Sequence, residues 1–265
     1  MLFDETASRR LLATYLTPDI VRQRRQVLTL LDPRPGERIL DLGSGPGLLA
    51  EEIAVAVGAG GGVEGVDISD SMLAIARERT PPPGAGPIGY TAADALALPF
   101  GSGTFDAIVS TQVYEYVADI PSALIEARRV LRPSGRLVIL DTDWDSIVWH
   151  SRDPQRMERV LSTWDQHLAD PQLPRILPRL LRRAGFTEMT VEVLPILNVG
   201  FDPDTLSAGA LETIARFVRG RGDISETEAD AWAEDLRTLG EDYFFSLNRY
   251  VFVAGQNPLA ARPNR

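Results

Sequence analysis

The chain of 265 residues has no lysine, no cysteine and only two histidines, His150 and His167. All 27 of its Lys+Arg positions are arginine. Without lysine there is no Schiff-base chemistry, no pyridoxal phosphate anchor, no P-loop Gly-Lys-Ser/Thr and no kinase-type strand lysine. Without cysteine there are no disulfides, thiol nucleophiles, Cys-ligated zinc sites or iron–sulfur clusters. A GC-rich genome favours arginine over lysine, so the bias needs no functional cause; the exclusions hold regardless. No apolar run reaches membrane-spanning length. The opening Met1-Leu2-Phe3-Asp4-Glu5 is acidic where a signal peptide is basic. We therefore expect a cytoplasmic protein without a membrane partner. A formal net charge of −10 repels phosphate backbones, so no nucleic-acid partner is expected. The arginine clusters at Arg22/Arg24/Arg25, Arg128/Arg129/Arg132 and Arg179/Arg182/Arg183 lie in helical patterns and read as solvated faces.

Hydrophobic residues make up 44% and charged residues 24%, as in a globular chain of one large domain, or a core with a modest lid. Helices are expected over 7–16 and, after Thr17-Pro18, up to about Leu31. Alternation then begins. Short apolar strands are expected at 38–42, 63–67, 88–92, 105–110 and 136–140, with helices at 48–57, 71–79 and 120–131 between them. This pattern predicts an α/β fold: a Rossmann-like, doubly wound, mostly parallel sheet covered on both faces. Further helices are expected at 154–168, 175–184, 204–219 and 226–242, the last opening on the capping box Ser225-Glu226-Thr227-Glu228. Strands at 187–197 and 243–254 bring the sheet to seven, and 257–265 is expected to fray. The resulting division is N-terminal helices covering the cofactor site (1–32), a cofactor-binding core (33–141), a lid insertion (142–171), a helix and strand of the core (172–197), a second helical lid insertion (198–242), and a final strand and tail (243–265).

Parallel sheets bind ligands beyond the carboxyl ends of their strands. The first such turn reads Asp41-Leu42-Gly43-Ser44-Gly45-Pro46-Gly47. Its glycines allow close backbone approach, and the helix that follows points N–H groups at a ligand. The spacing is Gly-x-Gly-x-Gly; the third glycine of a dinucleotide fingerprint would fall at residue 48, which is Leu. Asp67 ends the second strand, where a carboxylate can accept both ribose hydroxyls, and Asp94 follows the third, where it can accept from an adenine amino group. Each acid alone also reads as a cap or turn residue.

With these motifs in order, the chain resembles class I S-adenosylmethionine-dependent methyltransferases. It is most similar to the broad group of ubiquinone/menaquinone-biosynthesis and natural-product small-molecule enzymes. The resemblance covers residues 33–140 and, more loosely, the final strand. It implies that Gly43, Ser44, Gly45 and Gly47 form the turn under the methionine portion of S-adenosylmethionine, with Asp41 beside it. Asp67 would hold the ribose, Ile68 and Met72 would pack near adenine, and Asp94 and Ala95 would meet its edge. Ser110 and Gln112 would line the amino-acid end, with Tyr15 folding over it. Many relatives carry His after the fourth strand; here the run is Val113-Tyr114-Glu115-Tyr116-Val117. No metal is expected.

The resemblance also implies methyl transfer to an N or O atom of a small organic acceptor by in-line displacement. Positioning does most of the work, and a general base adds roughly 10²–10⁴-fold. His150 and His167 share the first insertion with Trp144, Trp149 and Trp164, which read as an acceptor pocket. The alternative is a lid packed onto the sheet by its tryptophans. Asp143 and Tyr114 sit at the rim; strand alternation favours Tyr114 over Tyr116. Asp143 reads first as a turn or cap residue and only second as an acceptor contact. Carbon methylation, a cofactor-binding protein with a non-methylating role and a nicotinamide oxidoreductase remain rivals. The chain is expected to be a monomer or homodimer.

Overall fold

In the computed structural model, which describes residues 5–255, seven strands form one sheet in the order β3-β2-β1-β4-β5-β7-β6. The parallel core comprises β1 (Arg38–Leu42), β2 (Gly62–Asp67), β3 (Ile88–Ala92), β4 (Phe105–Thr111) and β5 (Leu131–Trp149). Strand β7 (Phe244–Gly255) runs antiparallel to both β5 and β6 (Glu188–Val199). The chain reverses between β1 and β4, so the glycine turn after β1 lies at the switch point of the winding.

Helices cover both faces because the strands are apolar on both. On one face α2 (Pro18–Leu31) and α3 (Leu48–Val57) bury Val27, Leu49 and Ile53 against Ile39, Val109 and Val138. On the other α5 (Ile120–Val130) and α7 (Leu173–Arg183) bury Leu124 and Leu177 against Ile108 and Ile139. Local signals set the ends: Asp119 accepts from the Ser122 amide at the start of α5, and Ser225 from the Glu228 amide at the start of α9 (Glu226–Arg237).

At the carboxyl end of the sheet, α6 (Pro154–Asp165), α8 (Leu206–Val218) and α9 pack into a second core around Trp144, Trp149, Trp164 and Trp232. Helix α1 (Glu5–Tyr15) lies against α8 and α4 (Asp70–Arg77).

Two boundaries differ from expectation. Strand β5 does not stop at Asp141; it continues to Trp149, because Phe245 to Tyr250 of β7 supply ladder partners to its second half. The insertion therefore starts near residue 150, not 142. Residues 132–135, between the expected helix and strand, also belong to β5, as an irregularity where the register against β4 shifts. The expected fraying at 257–265 lies outside the described residues. Among the described residues no helix is long and apolar enough to cross a membrane.

Candidate active site

The turn after β1 is built from three left-handed glycines, Gly43 (φ +74°), Gly45 (φ +51°) and Gly47 (φ +78°). A side chain at Gly43 would collide with Val113, and one at Gly47 with the Tyr90 hydroxyl, so both are held tight from behind. Gly45 is different: a Cβ there meets nothing within 4 Å. It faces a cleft lined by Tyr15, Gln23, Arg24, Ser44, Thr111 and Gln112, among others. Open space against bare backbone is the arrangement that admits a ligand at close range.

Asp67 closes one side of this turn. Its Oδ2 accepts the Gly45 amide at 2.9 Å and its Oδ1 accepts the Ser69 amide at 2.8 Å. Each oxygen keeps a lone pair, so the carboxylate is oriented by backbone yet can still accept two hydroxyls. Burial raises its pKa, against the amides of Ser69, Gly45 and Ile68. Asp41 is 1% exposed, and neither oxygen meets a partner at hydrogen-bond geometry. Burial, then the Asp67 charge, push it up to about 7, opposed by the Ala50 amide. A cation beside it would lower that value again. These features suit S-adenosylmethionine: a diol for Asp67, positive charge near Asp41 and bare backbone at Gly45.

The other cofactor candidates divide. Ile68 is 65% exposed at the open end of β2. Met72 and Ala95 are buried among core side chains, and Asp94 accepts the Leu96 amide at 2.9 Å, capping its own turn. Ser110 is fully buried, whereas Gln112, with φ +56°, turns into the cleft. Tyr15 of α1 lines the cleft, its phenol raised to about 12, chiefly by burial.

The rim corrects four acceptor-side expectations. First, β4 ends at Thr111 and the chain enters a 3-10 turn at Tyr114–Tyr116, so alternation no longer applies. Tyr114 drops into the core, fully buried, and Tyr116, 42% exposed, takes the position beside Tyr15 and His167. Second, Asp143 is bound by Arg175 through two hydrogen bonds, at 2.9 and 3.0 Å, which neutralises it. Third, His150 is exposed and offers only its backbone amide, to Phe244. Fourth, Trp149 packs edge-on against Trp232, Tyr243 and Phe245 inside the insertion core. Trp144 and Trp164 behave otherwise. With His167, Phe217 and Tyr116 they form one ring cluster; Trp164 and His167, three apart in sequence, stack at 3.7 Å between centroids. The His167 imidazole is lowered by burial, so it stays neutral at pH 7.

Behind this rim lies a polar nest whose acid, Glu115, and cation, Arg249, are absent from the sequence-derived candidates. Glu115 is fully buried; its Oε2 accepts the Thr142 amide at 3.1 Å. The Thr142 hydroxyl accepts from Gln112 Nε2 and from Arg249 Nε, and Arg249 Nη1 donates to Gln23 at 2.7 Å. Gln112 and Gln23 both line the cleft, so the nest is wired to it. Burial raises Glu115 to about 7, with the Thr142 amide and the Arg249 charge opposing. Asp141, also fully buried, is raised well above its ordinary range, first by burial and then by the Glu115 charge. The rule that selects Asp67, an acid ending an apolar strand, selects Asp141 after Leu137-Val138-Ile139-Leu140 equally well. Nothing in the sequence marks Arg249.

Known proteins share this chain's sequence in part and its fold. A methyltransferase-domain family model matches residues 40–139. An uncharacterized 37.1 kDa protein of transposon Tn4556 from Streptomyces fradiae is 35% identical over 250 residues, covering 91% of this chain and 69% of that one. The ubiquinone/menaquinone biosynthesis C-methyltransferase UbiE of Teredinibacter turnerae is 40% identical over 119 residues, 44% of this chain and 48% of its own. The nocamycin O-methyltransferase of Saccharothrix syringae is 34% identical over 113 residues, covering 43% of this chain and 40% of that one. The chain thus spans about half the length of these two named relatives. The YcgJ protein of Bacillus subtilis shares the fold, with a TM-score of 0.62 at 17% identity over 89% of this chain and 99% of that one. Over residues 40–139 the chain belongs to the methyltransferase-domain family.

Proposed function

We propose that this protein transfers the methyl group of S-adenosylmethionine to an N or O atom of a small organic acceptor held at the rim between the glycine turn and the insertion helices. The observation that carries the reading is the open, left-handed Gly45 with Asp67 fastened to its amide, inside a cleft walled by Tyr15 and Gln112. Gly43, Ser44, Gly45 and Gly47 form the floor, Asp67 takes the ribose hydroxyls, Asp41 offsets positive charge, and Ile68 offers an exposed apolar surface to the adenine. Bound S-adenosylmethionine supplies a methyl already activated on a sulfonium, so the chain's task is to align the acceptor and exclude water. Tyr15 and the ring cluster on the insertion side provide that cover. We place the protein in the cytoplasm, with a small-molecule acceptor as its partner.

Calorimetry with S-adenosylhomocysteine and with NADPH, followed by mass-spectrometric screening of phenols, amines and enols for a 14-Da gain, tests this. Binding of S-adenosylhomocysteine alone and transfer to an oxygen or nitrogen acceptor are expected. Binding of the nicotinamide alone, or transfer only to carbon, overturns it.

A further inference from the structure

Arg249 of β7 is 2% exposed, and its guanidinium donates from Nε to the Thr142 hydroxyl at 3.2 Å and from Nη1 to Gln23 Oε1 at 2.7 Å. A guanidinium carries donors and no acceptor. The amide beside it must therefore present its carbonyl, which turns the NH2 group the other way. Gln23 is itself buried in α2 and lines the cleft with Gly43, Ser44 and Gly45. Its Nε2 donors have no partner among the described residues. The direction of a cleft-lining donor is thus set from behind by a buried cation 226 residues further along the chain. The Glu115 charge faces that cation and helps to hold it there.

The sheet order fixes which part of a ligand this donor meets. Asp67 ends β2, on one side of the glycine turn; Thr111 ends β4, on the other, and Gln112 follows it. Helix α2 packs on β5 and β7, beyond β4 on that second side. A nucleoside with its ribose on Asp67 that crosses Gly45 therefore brings its amino-acid end toward Gln23. That end carries a carboxylate, which needs donors. The cation of the cleft, Arg24, is already engaged: its Nε donates to Glu52 at 2.7 Å and its Nη1 to the Tyr15 carbonyl at 3.1 Å.

We propose that Gln23 donates to the carboxylate at the amino-acid end of S-adenosylmethionine, and that Arg249 is the positioning residue that fixes the Gln23 amide for this contact. The inference rests on the cofactor reading above and assigns it two further residues, neither of which touches the reacting atoms. Without Arg249 the amide is free to turn its carbonyl oxygen toward the anion, and the contact becomes repulsive.

The test uses the full chain, titrated calorimetrically at pH 7.5 with S-adenosylhomocysteine and with S-adenosyl-3-thiopropylamine, the same molecule without its carboxylate. The wild type is expected to bind S-adenosylhomocysteine at least about tenfold tighter, a difference within reach of charge-assisted hydrogen bonds. In Gln23→Glu an oxygen still accepts from Arg249 and a second oxygen replaces the donor. The preference is expected to fall at least about tenfold, with the thiopropylamine weakened by no more than about threefold. Arg249→Met is expected to lower the preference at least about threefold, and to add nothing in a Gln23→Leu background, where a direct pull of the Arg249 charge on the carboxylate would persist. If Arg249→Met does not fold, the double variant of Arg249→Met with Glu115→Gln, which removes both buried charges together, takes its place. No wild-type preference for S-adenosylhomocysteine, equal weakening of both ligands in Gln23→Glu, or an Arg249→Met effect that survives in Gln23→Leu overturns the proposal and leaves the methyl-transfer reading standing. A wild type that binds neither ligand overturns that reading, and the proposal with it.

Discussion

Asp19 lies in the first turn of α2, yet its Oδ2 accepts the amide of Leu206, the first residue of α8, at 2.8 Å. The same oxygen accepts from Asn198 Nδ2 at 3.3 Å, and Oδ1 accepts the Thr17 hydroxyl and the Ile20 amide. One buried carboxylate thus ties the helix that carries Gln23 and Arg24 into the cleft to the insertion that covers it. Asp19→Ala leaves buried donors unpaired and is expected to cost about 2–3 kcal/mol of stability. Urea unfolding reads the loss, and calorimetry is expected to show weaker S-adenosylhomocysteine binding because α2 loosens. An unchanged urea midpoint would refute the account.

Gly45→Ala and Gly103→Ala separate strain from function. Both glycines are left-handed, at φ +51° and +65°, and a Cβ at either meets nothing within 4 Å. Each substitution is expected to cost about 1–2 kcal/mol of stability. Only Gly45→Ala should also weaken S-adenosylhomocysteine, by tenfold or more, because its methyl enters the cleft. Equal affinities for the two variants would remove Gly45 from the site.

Asp41 and Glu115 each titrate near 7 in the folded protein, far above their ordinary range, with burial the first cause. In the unfolded chain both are ionised by pH 6.5. The native state therefore binds more protons, and stability falls as pH rises through about 7. His167 acts oppositely, adding stability as pH rises through about 6.5, where the unfolded imidazole loses its charge, but it is one group against two. Unfolding free energy of the cofactor-free protein is expected to be lower at pH 8 than at pH 6.5, with a shallower slope in Glu115→Gln. A flat or rising profile contradicts the assignment.

The two histidines are expected to part company. His150→Ala should leave methyl transfer within about twofold, since the imidazole is exposed and unengaged in the site. His167→Ala removes a ring stacked on Trp164 and facing Tyr116, and should lower the acceptor-dependent rate at least about tenfold. Equal rates would detach His167 from the rim.

What the amino-acid order determined was local. Strand and helix periods, the Asp119 and Ser225 caps and the glycines at 43, 45 and 47 each depend on neighbours a few residues away, and the fold follows from their alternation. Asp67 was legible for the same reason, as an acid ending a strand beside that turn. The acceptor side was not. Whether Tyr114 or Tyr116 reaches the rim depends on a 3-10 turn that breaks the strand period. Whether Asp143 is free depends on Arg175, 32 residues away, and whether Glu115 matters depends on Arg249 arriving from the far end of the chain. Burial and charge pairing between distant segments have no local signature, so only the tertiary structure decided which acids carry a raised pKa and which are neutralised.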